Sequence, residues 1–190
     1  MITIAQAGFA EQTITKSRFI AMAAYCASER EVGAALRAFA SKYQNAHHLA
    51  YAFRINTEQG ILLRFSDAGE PSGTAGMPVL KLIEGRDLIN VGVAVIRYYG
   101  GINLGTGGLA RAYGGTAKLA LDAAKTQEYV EMQTLNLTID YKQMDLLTRS
   151  LTKCNGSIVA KAFNSQVDLT ICLPANEVAS FTGRFKSHGV

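Results

Sequence analysis

With 190 residues, 48% of them apolar and only 18% charged, the chain can bury one large or two small cores, which excludes a disordered protein. A formal net charge of +4 is modest, so a polyanionic partner is permitted but not demanded. The longest apolar runs, such as Val91 to Ile96, are far too short to span a bilayer, and no basic-then-apolar leader follows Met1; the expectation is a soluble, cytoplasmic protein with no membrane partner.

Residues 9–14 and 19–25 are apolar and β-branched and read as strands, with Lys16, Ser17 and Arg18 between them. Ser28-x-x-Glu31 is a capping box, in which hydroxyl and carboxylate satisfy free backbone N–H groups, and it opens a helix. Val32, Leu36, Phe39, Ala40 and Tyr43 follow at helical spacing and predict its inner face. Gln44, Asn45 and His47 mark its end. Strands at 49–55 and 60–65, joined by the polar turn 56–59, predict a hairpin. The segment 66–78, SDAGEPSGTAGMP, has the composition of a loop, and a short helix at 77–83 ends at Gly85. Residues 89–97 form a near-continuous apolar run, the pattern of a strand buried on both faces. They lead into YYGGINLGTGG, residues 98–108, and a helix from about Leu109 to Lys125.

The charged and polar stretch 126–132 is the expected boundary, giving domains 1–126 and 127–190. Through Lys125 there are 13 Lys and Arg against 9 Asp and Glu, whereas the remainder is balanced at 6 against 6. The second domain reads as strand 133–141, helix 144–154, strand 158–163, strand 166–173 and helix 176–187. Leu135, Leu137 and Ile139 alternate as in a half-buried strand, and Asn155-Gly156 supplies a helix stop. The β-α-β-β-α order is that of a ferredoxin-like plait lacking its last strand. The expected class is therefore α+β in two domains.

Gly100, Gly101, Gly105, Gly107 and Gly108 lie between a buried strand and a helix, where backbone N–H groups can converge on an anion. No Lys follows them, which removes a Walker A loop. Gly105, Gly107 and Ala110 fit G-x-G-x-x-A, but they stand too far from the strand and lack the acidic partner of a dinucleotide site. In the helix, Arg111, Lys118 and Lys125 recur at seven-residue spacing beside Gly114 and Gly115, two costly helix-interior residues. That pattern fits a flat basic strip for a phosphate backbone, or close packing of the glycines with a solvated basic face. Tyr51, Phe53, Arg54, Arg97, Tyr98 and Tyr99 add aromatic and basic groups on strands, which either stack bases or fill the core.

Asp67 and Glu70 are expected to cap the helix near Thr74 or to pair with Arg64 or Arg54 rather than to bind a cation. His48 has no nucleophile partner at a recognisable elbow. Cys26, Cys154 and Cys172 are far apart and read as reduced thiols. No catalytic residue, metal or cofactor is assigned. The residues expected to contact RNA or a ligand are Arg54, Asp67, Glu70, Arg97, Tyr98, Tyr99, Gly100, Gly101, Gly105, Gly107, Gly108, Arg111 and Lys118.

Lys16-Ser17-Arg18-Phe19, His48-x-x-Tyr51-Ala52-Phe53-Arg54, residues 67–78 (DAGEPSGTAGMP) and residues 95–109 (VIRYYGGINLGTGGL) together resemble the IMPACT/YigZ family. The resemblance implies a first domain with the β-α-β topology shared by ribosomal-protein and elongation factor G domain IV folds. It implies a second domain like elongation factor G domain V. Eukaryotic members of that family regulate translation by binding partners of an initiation-factor kinase, and RNA or ribosome binding is inferred for bacterial ones. The leading expectation is a non-enzymatic, translation-associated regulator that binds RNA or a ribosomal or translation-factor surface. The alternatives are an enzyme or sensor for a small phosphorylated, anionic ligand held by both glycine-rich loops, and a protein-binding module.

Overall fold

A computed structural model describes Met1–Phe185. The chain divides into two units, Met1–Tyr129 and the part from Val130 onward. The first contains β1 (Ile2–Gln6), β2 (Gly8–Ile14), β3 (Ser17–Tyr25), α1 (Glu29–Lys42), β4 (His48–Thr57), β5 (Gly60–Ser66), α2 (Gly76–Gly85), β6 (Val91–Tyr98), α3 (Gly105–Ala123) and β7 (Lys125–Glu128).

Alternation along β6 organises this unit. Every residue from Val91 to Arg97 is buried. Val91, Val93 and Val95 join one core cluster, and Ala94 and Ile96 join another. Such a strand needs cover on both faces. It sits at the centre of an antiparallel sheet ordered β2-β3-β6-β4-β5. The helix α1 covers one face with buried Val32 and Phe39. Of its expected capping box the first arm forms, Ser28 Oγ accepting the Glu31 N–H at 3.2 Å, whereas the Glu31 carboxylate reaches one residue further back and accepts the Ala27 N–H at 2.9 Å. Ala40, expected on the inner face, is exposed.

The other face of the sheet presents Ala21, Ala23, Ala50 and Ala52 to α2 and α3. Small side chains let the helices approach closely. The closest approach is at Gly8, where a methyl group would fall 2.0 Å from the Ala120 carbonyl oxygen. Farther along β2, Gln12 Nε2 donates to Thr116 Oγ1 at 2.6 Å. Running from Gly8 to Gln12, β2 thus moves toward the start of α3, and the β2–β3 turn arrives at that helix's N-terminal end.

Two differences from the sequence reading matter. First, α3 begins at Gly105, so Gly105, Gly107 and Gly108 belong to its first turn rather than to a loop. Second, α3 ends at Ala123, and Lys125 lies in β7, so the expected Arg111–Lys118–Lys125 helical stripe loses its last member. The strand β7 pairs antiparallel with β1, from Ile2 opposite Glu128 to Gln6 opposite Lys125. All of β7 is exposed, so its pairing leaves no apolar pattern to read. It also carries residues 127–129 into the first unit, a few residues past the 126/127 boundary expected from composition.

The second unit contains β8 (Met132–Ile139), α4 (Met144–Lys153), β9 (Ser157–Phe163), β10 (Val167–Pro174) and α5 (Val178–Phe185). Its antiparallel sheet is ordered β8-β10-β9. Val167, Leu169, Ile171 and Leu173 alternate on the buried face of β10 and pack against Leu147, Leu151, Phe181 and Phe185 of the helices. Asn155, at φ +56°, ends α4. The Gly156 N–H then donates to the Leu151 carbonyl at 2.8 Å, closing a Schellman motif. Residues 186 and 187 of the expected last helix lie outside the described residues.

The glycines of this packing are separable by experiment. Methyl groups at Gly114 and Gly115 would meet neighbours no nearer than 3.5 Å, an ordinary contact. Gly115→Ala is expected to raise stability by about 0.5–1 kcal/mol through helix propensity. Gly8→Ala is expected to lower it, because backbone must shift. Thermal midpoints of the two variants check both signs.

Candidate functional site

The centre of the candidate site is a buried ion pair. Arg97 is the last residue but one of β6, and Glu70 lies in the first glycine-rich loop; each side chain is only 5% exposed. Arg97 Nη1 donates to Glu70 Oε1 at 2.7 Å. The same oxygen accepts the Tyr113 hydroxyl of α3 at 2.8 Å. Burial, with the Glu70 hydrogen bond and charge added, pushes the Tyr113 phenol well above its ordinary pKa. The Arg97 guanidinium lies between two rings, 5.6 Å from the centroid of Phe19 and 5.1 Å from that of Tyr99. Its Nε has no hydrogen-bond partner among the described residues. Arg97, expected from the sequence to contact RNA or a ligand, is therefore buried away from any phosphate backbone. It holds the scaffold beneath the glycine turn.

Glu70 brings the two glycine-rich segments together. The pairings expected for it, with Arg64 or Arg54, do not form: Arg64 pairs with Glu29 at 2.7 Å and Arg54 with Asp87 at 3.1 Å. His48 lies beside Glu70, with its Nε2 3.9 Å from Glu70 Oε1. Its Nδ1 is 2.8 Å from the Ala68 carbonyl oxygen, which can only accept, so Nδ1 carries the proton. Asp67 caps α2, as expected. Its carboxylate accepts the N–H groups of Gly73, Ala75 and Gly76 at 2.8–2.9 Å. Burial acts to raise its pKa, but these amides and that of Met77 outweigh it and hold the carboxyl below the usual range.

From Arg97 the chain passes into the glycine turn. Ser17 Oγ accepts from Arg97 Nη2 at 3.4 Å and from the Gly100 N–H at 3.2 Å. A Cβ on Gly100 would lie 2.1 Å from the Lys16 carbonyl oxygen, so only glycine lets the turn close on β3. The β2–β3 turn it touches has two consecutive left-handed residues, Thr15 at φ +45° and Lys16 at φ +64°. This geometry ordinarily selects Asn-Gly. The Lys16 side chain is exposed at its tip.

Beyond the exposed Gly101, α3 starts with no side-chain cap and no acidic residue in its first turn. The first amides of a helix have no intrahelical partner and carry partial positive charge. A methyl group at Gly107 would lie 3.5 Å from Arg111 Nη1, so the Arg111 guanidinium folds back over this same turn. No ion pair engages Arg111 among the described residues. A cation at the positive end of a helix is electrostatically unfavourable unless an anion joins them.

The remaining expected residues lie apart from this point. Arg54 is opposite Val91 on β6, whereas His48 is opposite Arg97, so Arg54 stands near the other end of the sheet. It donates to Asp87 and to the Leu88 carbonyl. Lys118 pairs with Asp122 at 2.7 Å, which Arg86 also engages at 2.6 Å, so the two cations share one carboxylate. The Tyr98 hydroxyl donates to the Gln44 carbonyl at 2.9 Å and that of Tyr99 to Asn103 at 3.0 Å. The site thus keeps Gly101, Gly105, Gly107, Gly108 and Arg111 at the surface. Lys16, which was not singled out, joins them. The sequence spaced the expected strands four residues apart, at 15–18, and only the pairing of Ser17 with Ile14 shows the turn to be two residues long. Among the described residues, no three His, Cys, Asp or Glu side chains gather as a metal site needs.

Comparison with known proteins adds the following. The family model described as the Impact N-terminal domain matches residues 15–121, and a domain of unknown function, DUF1949, matches residues 137–187. An Escherichia coli K12 protein, IMPACT family member YigZ, is 36% identical over 174 residues, covering 91% of this chain and 85% of its own length. An IMPACT family member of Haemophilus influenzae is 34% identical over 182 residues, covering 94% and 88%. A Thermus thermophilus member is 51% identical over 111 residues, covering 58% of each. A solved crystal structure of a hypothetical protein has a TM-score of 0.75 at 34% identity and covers 96% of this chain and 89% of its own. The two-domain translational regulator Yih1 has a TM-score of 0.40 at 27% identity, covering 62% and 47%, a likeness too loose to carry an argument.

Two variants test the scaffold. Glu70→Gln leaves the Arg97 charge buried without its counter-ion, and denaturant unfolding is expected to show a loss of about 3 kcal/mol. A loss of a few tenths would mean that the Arg97 charge is solvated. Asp67→Ala removes the α2 cap and is expected to cost about 1–2 kcal/mol at neutral pH. Because the folded pKa is depressed, this stabilisation is present above the unfolded value of about 3.9 and is lost as pH falls through the folded value. The stability gap between wild type and Asp67→Ala should therefore begin to narrow as pH falls to about 4 and close only as pH falls through the lower folded value, as followed by denaturation across pH.

Proposed function

We propose, starting from the fact that this chain belongs to the IMPACT family, that it is a non-enzymatic, translation-associated regulator whose first unit binds RNA or a ribosomal surface. The observation that carries the reading is the start of α3. There an uncapped helix end free of acids and a folded-back, unpaired Arg111 guanidinium superpose positive charge. Exposed Lys16 stands in the β2–β3 turn, packed by its backbone and Cβ against Gly100 of the segment that leads into α3. Phosphate groups along a nucleic-acid backbone supply the anion this arrangement lacks. The buried Arg97–Glu70 pair acts behind that surface by fixing the turn. With the reading go a cytoplasmic location and the finer fold assignments. These are an elongation factor G domain IV-like first domain and a ferredoxin-like second domain, like domain V, divided near residues 126–130. No helix among the described residues is long and apolar enough to cross a membrane.

The small-ligand alternative set Asp67, Glu70, His48 and Arg54 with both glycine-rich loops around one pocket; His48 does lie beside Glu70, but Arg54 stands toward the other end of the sheet and protein groups already occupy both carboxylates. A protein-binding reading has an observation of its own. The edge strand β5 exposes Ile61, Leu63 and Phe65 on alternate positions. Edge strands usually carry charge or proline against such pairing.

The test is a salt-titrated binding assay of the full chain on a structured RNA. Binding is expected at low salt, with an affinity that falls steeply as salt rises. Lys16→Glu and Arg111→Glu are each expected to weaken it about fivefold or more and to reduce the salt slope by about one. Absence of binding at low salt, or affinity unchanged in the double variant, would sink the proposal.

A further inference from the structure

We propose that the groove between α4 and α5 of the second unit is a docking site for an acidic amphipathic helix of a partner protein. The groove has a volume of about 500 Å³. Leu146, Arg149 and Lys153 line it from α4, and Phe181 and Arg184 line it from α5. Their spacings place each set on one stripe of its helix. Phe181 is buried and forms an apolar floor, while Leu146 is 44% exposed at one side.

Cations form the rim. Arg149, Lys153 and Arg184 have no ion pair among the described residues. The Arg149 side chain bonds only the Asp145 backbone carbonyl, at 3.2 Å. Arg184 lies 5.8 Å from the Phe185 ring. Glu177 is the one acid lining the groove. Asp140 and Asp168 of the same unit are engaged elsewhere, by Gln166 and by Thr138 and Asn164. Asp145 does not line the groove, so three cations without an ion pair among the described residues rim a trough whose apolar lining is Leu146, Cys154 and Phe181, with Ser150, Ser180 and Glu177 beside them.

The shape selects the occupant. A small ligand normally has most of its surface enclosed, whereas this groove is open. A phosphate backbone would leave the apolar floor without a partner. A helix laid between two others fills such a trough at the ordinary interaxial distance, with its apolar side over Phe181 and Leu146. Carboxylates on its flanks would then meet Arg149, Lys153 and Arg184. The stripe on α4 from Leu146 to Lys153 spans about 10 Å, matching two turns of such a helix. This surface is independent of the glycine site of the first unit.

The experiment titrates the full isotopically labelled chain with a synthetic acidic peptide of about 20 residues, long enough to be helical, carrying Leu on one face and Glu on its flanks. Saturable amide shifts confined to residues 146–154 and 177–184 are expected. Arg149→Glu, Lys153→Glu and Arg184→Glu combined should weaken binding about tenfold or more. A peptide with Gln for Glu should lose affinity likewise, and that arm leaves the protein unaltered should the triple variant not fold. Shifts that do not saturate, peptides that bind equally with Gln or Glu, or a structured RNA that shifts these residues when the peptide does not would each overturn the proposal.

Discussion

The buried pair of Arg97 and Glu70 is the constraint on which the first unit's surface depends. Moving two charges into a protein interior costs several kcal/mol per ion, and only close geometry with further hydrogen bonds offsets it. Here the offset comes from four directions. Glu70 supplies the counter-charge, Ser17 a hydroxyl, and Phe19 and Tyr99 the faces of their rings. Those partners come from the first glycine-rich loop, β3 and the segment after β6. Tyr113 adds α3 to the same carboxylate oxygen. One guanidinium thus fixes where the loop, the strand end and the helix meet, and the glycine turn inherits its position from them.

Much of this architecture was legible in the sequence, because the signals were local. The Ser28 box, the β4–β5 hairpin and the doubly buried run of β6 each announce themselves by spacing. What escaped depended on tertiary contacts. The β1–β7 pair has no apolar period in β7, so backbone hydrogen bonding alone makes it. Glycine is a poor helix former, so Gly105, Gly107 and Gly108 read as loop, although Leu109, Ala112 and Tyr113 anchor the helix in the core. Arginine in a strand reads equally well as a surface contact or as a core ion. Only the arrival of Glu70 from 27 residues away in sequence decides it.

The same distinction separates the two charge patterns. Through Lys125 the surplus of positive charge suggests a basic face; ion pairing leaves that surplus unchanged and decides which cations are left to carry it. Arg18 pairs with Glu11, Arg54 with Asp87, Arg64 with Glu29, and Arg86 and Lys118 share Asp122. Surface pairs of this kind add little stability, yet they remove these cations from competition for an anion. The second unit is nearly neutral by count, but Arg149, Lys153 and Arg184 remain unpaired around one groove. Net charge therefore does not say where in either unit the unpaired cations stand.

The turn at Thr15 and Lys16 carries the argument one step further. Two adjacent left-handed residues other than glycine are strained, at a cost of order 1 kcal/mol each. Asn-Gly would relieve that strain while preserving the two-residue hairpin. The contact with Gly100 involves the Lys16 backbone and Cβ, which any residue other than glycine at that position would supply. Packing accounts for the conformation of the turn, then, but not for the long basic side chain at its tip. What lysine adds is charge, held on a short, stiff hairpin at the end of β2 that approaches the bare amides of α3. Strain that the fold alone does not require is intelligible if the ammonium group works together with that helix end.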